Sequence, residues 1–137
     1  MANYGQGDST YQTAGGLDGV RALVNAFYDT MERNPAYATI LSWHPQTLDT
    51  SRDKLTLFLC GWMGGPRFFQ ETYGSISIPG AHAHLDVTAA ERDQWLDCMA
   101  EAIDQRGYAP DFKAYLLKQL GRPAEMIRRQ SEKTAST

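Results

Sequence analysis

Apolar residues recur along most of the chain at steps of three and four, the spacing of one helix face. Leu17, Val20, Leu23, Val24, Phe27 and Met31 make the first stripe, after Gly15-Gly16. Arg33-Asn34-Pro35 ends it, because proline pushes the residue before it out of the helical region. A short irregular stretch, "AYATILSWHPQT", follows. Leu55, Phe58, Leu59 and Trp62 form the second stripe. Thr50 and Asp53 ahead of it are spaced as an N-cap and an acid three residues on. Gly64-Gly65-Pro66 stops it. The third helix is the clearest: a Thr88/Glu91 capping box, then Trp95, Leu96, Met99, Ala102 and Ile103, then a stop at Gly107. The fourth opens at Pro110, a residue suited to a first turn, and carries Phe112, Tyr115, Leu116 and Leu120. "LGRP" at 120–123 is expected to kink or break it, since an interior proline costs about 3 kcal/mol. Met126 and Ile127 resume the packing beyond.

One segment has no clear period. "RFFQETYGSISIPGAHAHLDV" runs from 67 to 87. "SISI" could make a short strand, but an isolated strand has nothing to pair with. Long loops in compact domains are usually functional or disordered, and Phe68, Phe69 and Tyr73 argue against disorder. The segment is therefore expected to wrap something. The prediction is an all-α fold of four main helices in one domain, residues 15–130. Residues 1–14 read as a flexible polar N-terminal extension, and 131–137 ("SEKTAST") as a flexible tail without an apolar anchor.

Composition narrows the function classes. With 137 residues, 42% of them hydrophobic, the chain can bury roughly two thirds of its unfolded surface as one domain. Net charge is −3 with no long run of one sign, so neither nucleic acid nor an anionic membrane is an expected partner. No apolar stretch approaches the roughly 20 residues of a membrane span, and the first residues lack a signal peptide's apolar core. Cys60 and Cys98 make no disulfide framework, and each sits in an apolar helical stretch where Cys acts as a small hydrophobe. The reading is a cytoplasmic protein with reduced thiols.

No P-loop, G-x-G-x-x-G, H-E-x-x-H, C-x-x-C or G-x-S-x-G motif is present. A zinc site needs three or four ligands, and the chain's three histidines fall in two distant places. His82 and His84 would share a face on a strand. With no sheet to support them, a two-histidine chelate is not preorganised. What remains is a concentration of polar aromatics and histidine: Phe27-Tyr28, Trp43-His44 and Trp95. They read either as core aromatics with tips at the surface, or as the lining of a ligand site between helices. In the second case one His binds a metal whose other donors come from a cofactor. Spacing alone favours the first reading.

Over residues 15–130 the chain resembles the bacterial group II truncated haemoglobins. "GG" precedes the first long helix, "FY" (Phe27-Tyr28) falls in its second half, and "FLCGWMGGP" fits the family's "FL-x-x-x-x-GGP". "AHA" stands where the family has its proximal histidine, and "ERDQWLDCM" (Glu91–Met99) matches "ERD-x-W-L-x-C-M". The resemblance implies a truncated globin-like 2-on-2 helical sandwich enclosing haem b. It assigns His82 as proximal ligand of the iron and leaves His84 a bystander. Tyr28 and Trp95 correspond to the usual distal donors. His44, just before Pro45, adds a third polar group where the family more often has Tyr or Phe, after a three-residue lengthening. Ser51 and Leu55 would line the distal helix, Phe27, Phe58 and Leu59 would contact haem, and Lys54 would reach a propionate. Ala81 departs from the usual Arg, a second propionate partner.

The implied ligands are O₂, CO and NO, with peroxide and anionic ligands also accommodated. An unidentified reductase supplies electrons, with no nucleic acid and no membrane involved, and the chain is a monomer or homodimer. The expected function is reversible binding of small ligands in a polar pocket suited to nitric oxide or peroxide detoxification. Nitric oxide dioxygenase and peroxidase-like activities both stay open. A cofactor-free helical interaction module is the competing reading.

Overall fold

Residues 4–44, 47–74 and 87–135, with side chains to 129, are described by the computed structural model. They form α1 (Ser9–Ala14), α2 (Gly16–Arg33), a 3₁₀ turn (Pro35–Tyr37), α3 (Ala38–Ser42), α4 (Asp49–Trp62), α5 (Phe68–Tyr73), α6 (Ala89–Arg106) and α7 (Pro110–Ala135). No strand occurs among the described residues, and none of these helices is long and apolar enough to cross a membrane.

The hub is α2. It packs on α4 along one side and on α6 along another, and α6 packs on α7, so two helix pairs meet through α2 and α6. Val20, Leu23, Val24, Phe27 and Met31 are buried on α2. They meet Cys98, Met99, Ala102 and Ile103 of α6, with Phe112, Leu116 and Leu120 of α7 completing one core cluster. α6 begins with the expected capping box, Thr88 and Glu91 each serving the other's backbone, and ends at Gly107 in the left-handed region (φ 72°). The first stripe ends as expected: Asn34 is extended at ψ 114°.

Two expectations about helix boundaries are corrected. α4 starts at Asp49, with Leu48 at its N-cap and no side-chain capping bond, so Thr50 lies inside the helix. Asp49 in the first turn offsets the positive helix end instead. Pro123 does not break α7: the helix runs through it to Ala135. Proline removes the bond to the carbonyl four residues back. Leu116 and Leu120 are buried before it, and an Arg92–Glu125–Arg128 ion-pair group secures the turn after it. The helical assignment also takes in 131–135 of the stretch expected as a tail.

Residues 4–14 pack on the helices that follow them. Tyr4 packs its ring on Phe112 and Tyr115, each at 5.1 Å, and donates to Asp111 at 3.0 Å. Thr10, Tyr11 and Ala14 of α1 are buried. Tyr11 N–H donates to the Met63 carbonyl at 3.2 Å. The Tyr11 ring lies so close to Gly65 that a Cβ there would fall 2.6 Å from it. The "GGP" stop is therefore also the landing place of the N-terminal segment.

Candidate functional site

The second turn from the end of α2 places Phe27 and Tyr28 at the point where α3, α4 and α6 converge. Phe27 is fully buried and Tyr28 is 5% exposed. Phe27 meets Trp95 of α6 edge-on at 5.2 Å and Tyr28 at 5.1 Å. His44, just past α3, meets the Tyr28 ring edge-on at 5.4 Å and 83°. Three of the polar aromatics singled out in the sequence, Tyr28, His44 and Trp95, thus converge from three parts of the chain. Such edge-to-face pairs contribute about 0.5–1.5 kcal/mol each beyond burial.

Burial sets the chemistry of this cluster. Removal from water pushes the Tyr28 phenol up from its ordinary 10 to about 12, against a lowering pull from the Arg52 guanidinium and with a small raise from Cys98. At neutral pH Tyr28 keeps its proton and is a hydrogen-bond donor. Nδ1 of His44 lies 2.9 Å from the Ile40 carbonyl. A carbonyl only accepts, so Nδ1 carries the proton and the neutral ring has none on Nε2. Cys98 Sγ–H donates to the Phe27 carbonyl at 3.3 Å, and burial pushes this thiol up to about 12, helped by Glu101. It is a structural tie rather than a nucleophile.

α4 supplies an apolar wall. Leu59 is buried, while Leu55 and Phe58 pack on the core with part of their surface open. Phe58 meets Phe69 of α5 at 6.1 Å. Ser51 is half-buried on the same helix. Lys54 is exposed, its ammonium 5.3 Å from the Tyr73 ring, and Tyr73 donates to Asp53 at 2.8 Å. His82, His84 and Ala81 lie outside the described residues, as does "SISI". Cavities of about 350 Å³, along α7 beside Arg122 and Met126, and about 160 Å³, beside Phe58 and Trp62, are lined by none of Tyr28, His44 and Trp95.

A family model described as bacterial-like globin matches residues 9–129. The chain belongs to the bacterial-like globin family. Among curated relatives of this globin, the group 2 truncated haemoglobin YjbI of Bacillus subtilis is 28% identical over 110 residues, covering 80% of this chain and 81% of that one. Among solved structures, the cold-adapted truncated haemoglobin of Pseudoalteromonas haloplanktis superposes with TM-score 0.82 at 30% identity, covering 86% of this chain and 95% of that one. The group II 2-on-2 haemoglobin of Agrobacterium tumefaciens gives 0.81 at 30%, covering 87% and 92%. The architecture is thus the 2-on-2 sandwich of a truncated globin: α2 and α4 are one pair, α6 and α7 the other.

The cofactor of this globin is haem b, and globins bind O₂ and other small gaseous ligands. The described residues fit that group by their chemistry. A planar macrocycle needs an apolar wall, and Leu55, Phe58 and Leu59 form an apolar face on α4, while Tyr28 and Trp95 bring O–H and N–H groups to the same cluster. Among the described residues no three His, Cys, Asp or Glu side chains gather to hold a bare metal ion. One buried oxygen, Gln94 Oε1 beside Trp95 in sequence, has no hydrogen-bond partner among these residues.

Sequence reasoning missed two groups here. Arg52 reaches from α4 to Asn25, Asp29 and Glu32 of α2 and lies against Tyr28. Tyr73 ties the end of α5 to Asp53, which also pairs with Arg21 at 3.7 Å. The acids at 29 and 32 share a helix face and signal a cation partner, but nothing in their spacing says which.

Proposed function

We propose that this globin binds O₂ and other small ligands at haem iron carried by His82, and that its polar pocket serves redox detoxification of nitric oxide or peroxide. Phe27, Ser51, Leu55, Phe58 and Leu59 would enclose the haem and Lys54 would meet a propionate. Haem, when bound, supplies an iron centre that takes a diatomic gas and exchanges electrons. The observation that carries the reading is one aromatic cluster: Tyr28 and Trp95 both meet the buried Phe27, and His44 meets Tyr28.

Each residue has a distinct part. Tyr28 holds its proton well above neutrality and donates from its phenol oxygen. Trp95 can only donate, through its indole N–H. His44 in its neutral form spends its one proton on the Ile40 carbonyl. It therefore acts on the pocket chiefly by packing edge-on against the Tyr28 ring. The pocket then has two donors, Tyr28 and Trp95, with His44 as the third polar group beside them. Hydrogen bonds to charged groups contribute about 1.5–3 kcal/mol, enough to slow ligand release roughly ten- to a hundredfold. Slow release suits a protein that consumes its ligand. Conversion of nitric oxide and O₂ to nitrate takes one electron per turn, which calls for a reductase. One relative from Bacillus subtilis is itself described as oxygen-avid.

The test is the absorption spectrum of protein supplied with haem, wild type against His82→Ala. Loss of the Soret band and ferrous-CO spectrum in the variant supports the ligand assignment. An unchanged pair of spectra removes His82 from it. Absence of any Soret band in wild type would favour the cofactor-free interaction module.

A further inference from the structure

Arg52 lies on α4, yet among the described residues its guanidinium bonds only to α2. Its Nη1 donates to the Asn25 carbonyl at 3.1 Å and to Asn25 Oδ1 at 3.2 Å. Its Nη2 donates to Asp29 Oδ1 at 2.8 Å and to Glu32 Oε1 at 3.0 Å. Asn25, Asp29 and Glu32 follow one another at steps of four and three, so they share one face of α2. The guanidinium carbon sits 5.7 Å from the centroid of the Tyr28 ring.

This arrangement makes a fixed charge. A planar fork bonded at four acceptors of one helix cannot leave the ring without breaking several bonds at once. The neighbouring carboxylates oppose its charge, but Asp29 and Glu32 are 57% and 52% exposed against 21% for Arg52. Water screens the acids more than the cation. Of these three charges Arg52 is the one whose pull on the Tyr28 phenol is resolved, and it favours loss of the proton. A cation against an aromatic face draws electron density from the ring and makes its O–H a stronger donor.

We propose that Arg52 is a positioning residue: it fixes the Tyr28 ring from the α4 side and strengthens its phenol as the donor to a ligand at the haem. This rests on the role given to Tyr28 above. Burial pushes the Tyr28 phenol toward its neutral form, and Arg52 is the group that opposes this. The two effects leave a proton that is retained but polarised.

The test uses the haem-loaded protein with carbon monoxide as probe. The C–O stretch falls when a donor points at the ligand. Arg52→Met should move the stretch to higher wavenumber and speed O₂ release roughly two- to fivefold. In a Tyr28→Phe background the same substitution should move neither. Arg52→Lys keeps the charge without the fork and should recover less than half of the change. It also stands in should Arg52→Met fail to fold. A shift of equal size in both backgrounds, or none in either, overturns the proposal. Full recovery by Lys overturns the part assigned to the fork. If Tyr28→Phe alone leaves stretch and release unchanged, the donor role of Tyr28 fails and this inference with it. If Tyr28→Phe has its effect and Arg52→Met has none, only the inference fails.

Discussion

Tyr28 is held on two sides in two different ways. Toward α6 its surroundings are dry: Phe27, Trp95 and Cys98 pack with one weak S–H bond between the helices. Toward α4 they are ionic: Arg52 braces two acids of α2, and Asp53, one residue on along α4, joins Arg21 of α2 and Tyr73 of α5 in a second polar group. The dry side carries stability, because buried apolar area and tight packing dominate the energetics of folding. The ionic side carries little stability, since exposed pairs contribute about 0–1 kcal/mol. Its value lies in where it puts a charge. On the proposed reading, the site divides haem binding and the tuning of a hydrogen bond between its two neighbours.

The division can be broken most severely on the dry side. Phe27→Ala should cost about 3–5 kcal/mol, the usual loss for a buried aromatic, read as a fall in denaturant midpoint. A loss below 1 kcal/mol would mean that the cluster is not the keystone of the α2–α6 contact. Alkaline pH attacks the same side. Burial raises Tyr28 from 10 to about 12 and Cys98 from 9 to about 12. The folded chain keeps these protons where the unfolded chain releases them. Their contribution is therefore intact below about pH 9 and lost progressively up to about pH 12, at about 1.4 kcal/mol for each unit of raise. Unfolding free energy measured across that window should fall, and Cys98→Ala should flatten the start of the decline. A flat profile in wild type would contradict the burial argument.

On the ionic side the effects on stability should be small. Arg52→Met should lower the unfolding free energy by about 1 kcal/mol. Tyr73→Phe removes one exposed hydrogen bond to Asp53 and should cost about 0.5 kcal/mol. A loss above 2 kcal/mol from Tyr73→Phe would show that α5 is held to α4 more by this bond than by the Phe58–Phe69 contact.

The same contrast explains what the sequence made legible. The dry side follows from periodicity: Val20 to Met31 and Met99 to Ile103 are stripes that could only face a core, and the Thr88/Glu91 box marks where α6 starts. The convergence of Tyr28, His44 and Trp95 came from resemblance to a family, since polar aromatics at helical spacing are equally consistent with plain packing. Arg52 stayed hidden because its partners lie 20 to 27 residues away, and no local pattern records a bond between two helices. Polar composition concealed the packing of residues 4–14, where Tyr4 and Tyr11 alone supply large rings. Pro123 misled because the rule against interior proline is local, while the contacts on either side of it that keep α7 continuous are tertiary.

The two proposed donors, Tyr28 and Trp95, decide how fast O₂ leaves. Stopped-flow measurement of O₂ dissociation from the haem-loaded ferrous protein, in wild type, Tyr28→Phe, Trp95→Phe and His44→Ala, tests them directly. Tyr28→Phe should release O₂ roughly ten- to a hundredfold faster. Trp95→Phe should act in the same direction, and His44→Ala by less than either. Three rates equal to wild type would contradict the hydrogen-bonding pocket and leave the cluster a packing feature of the fold.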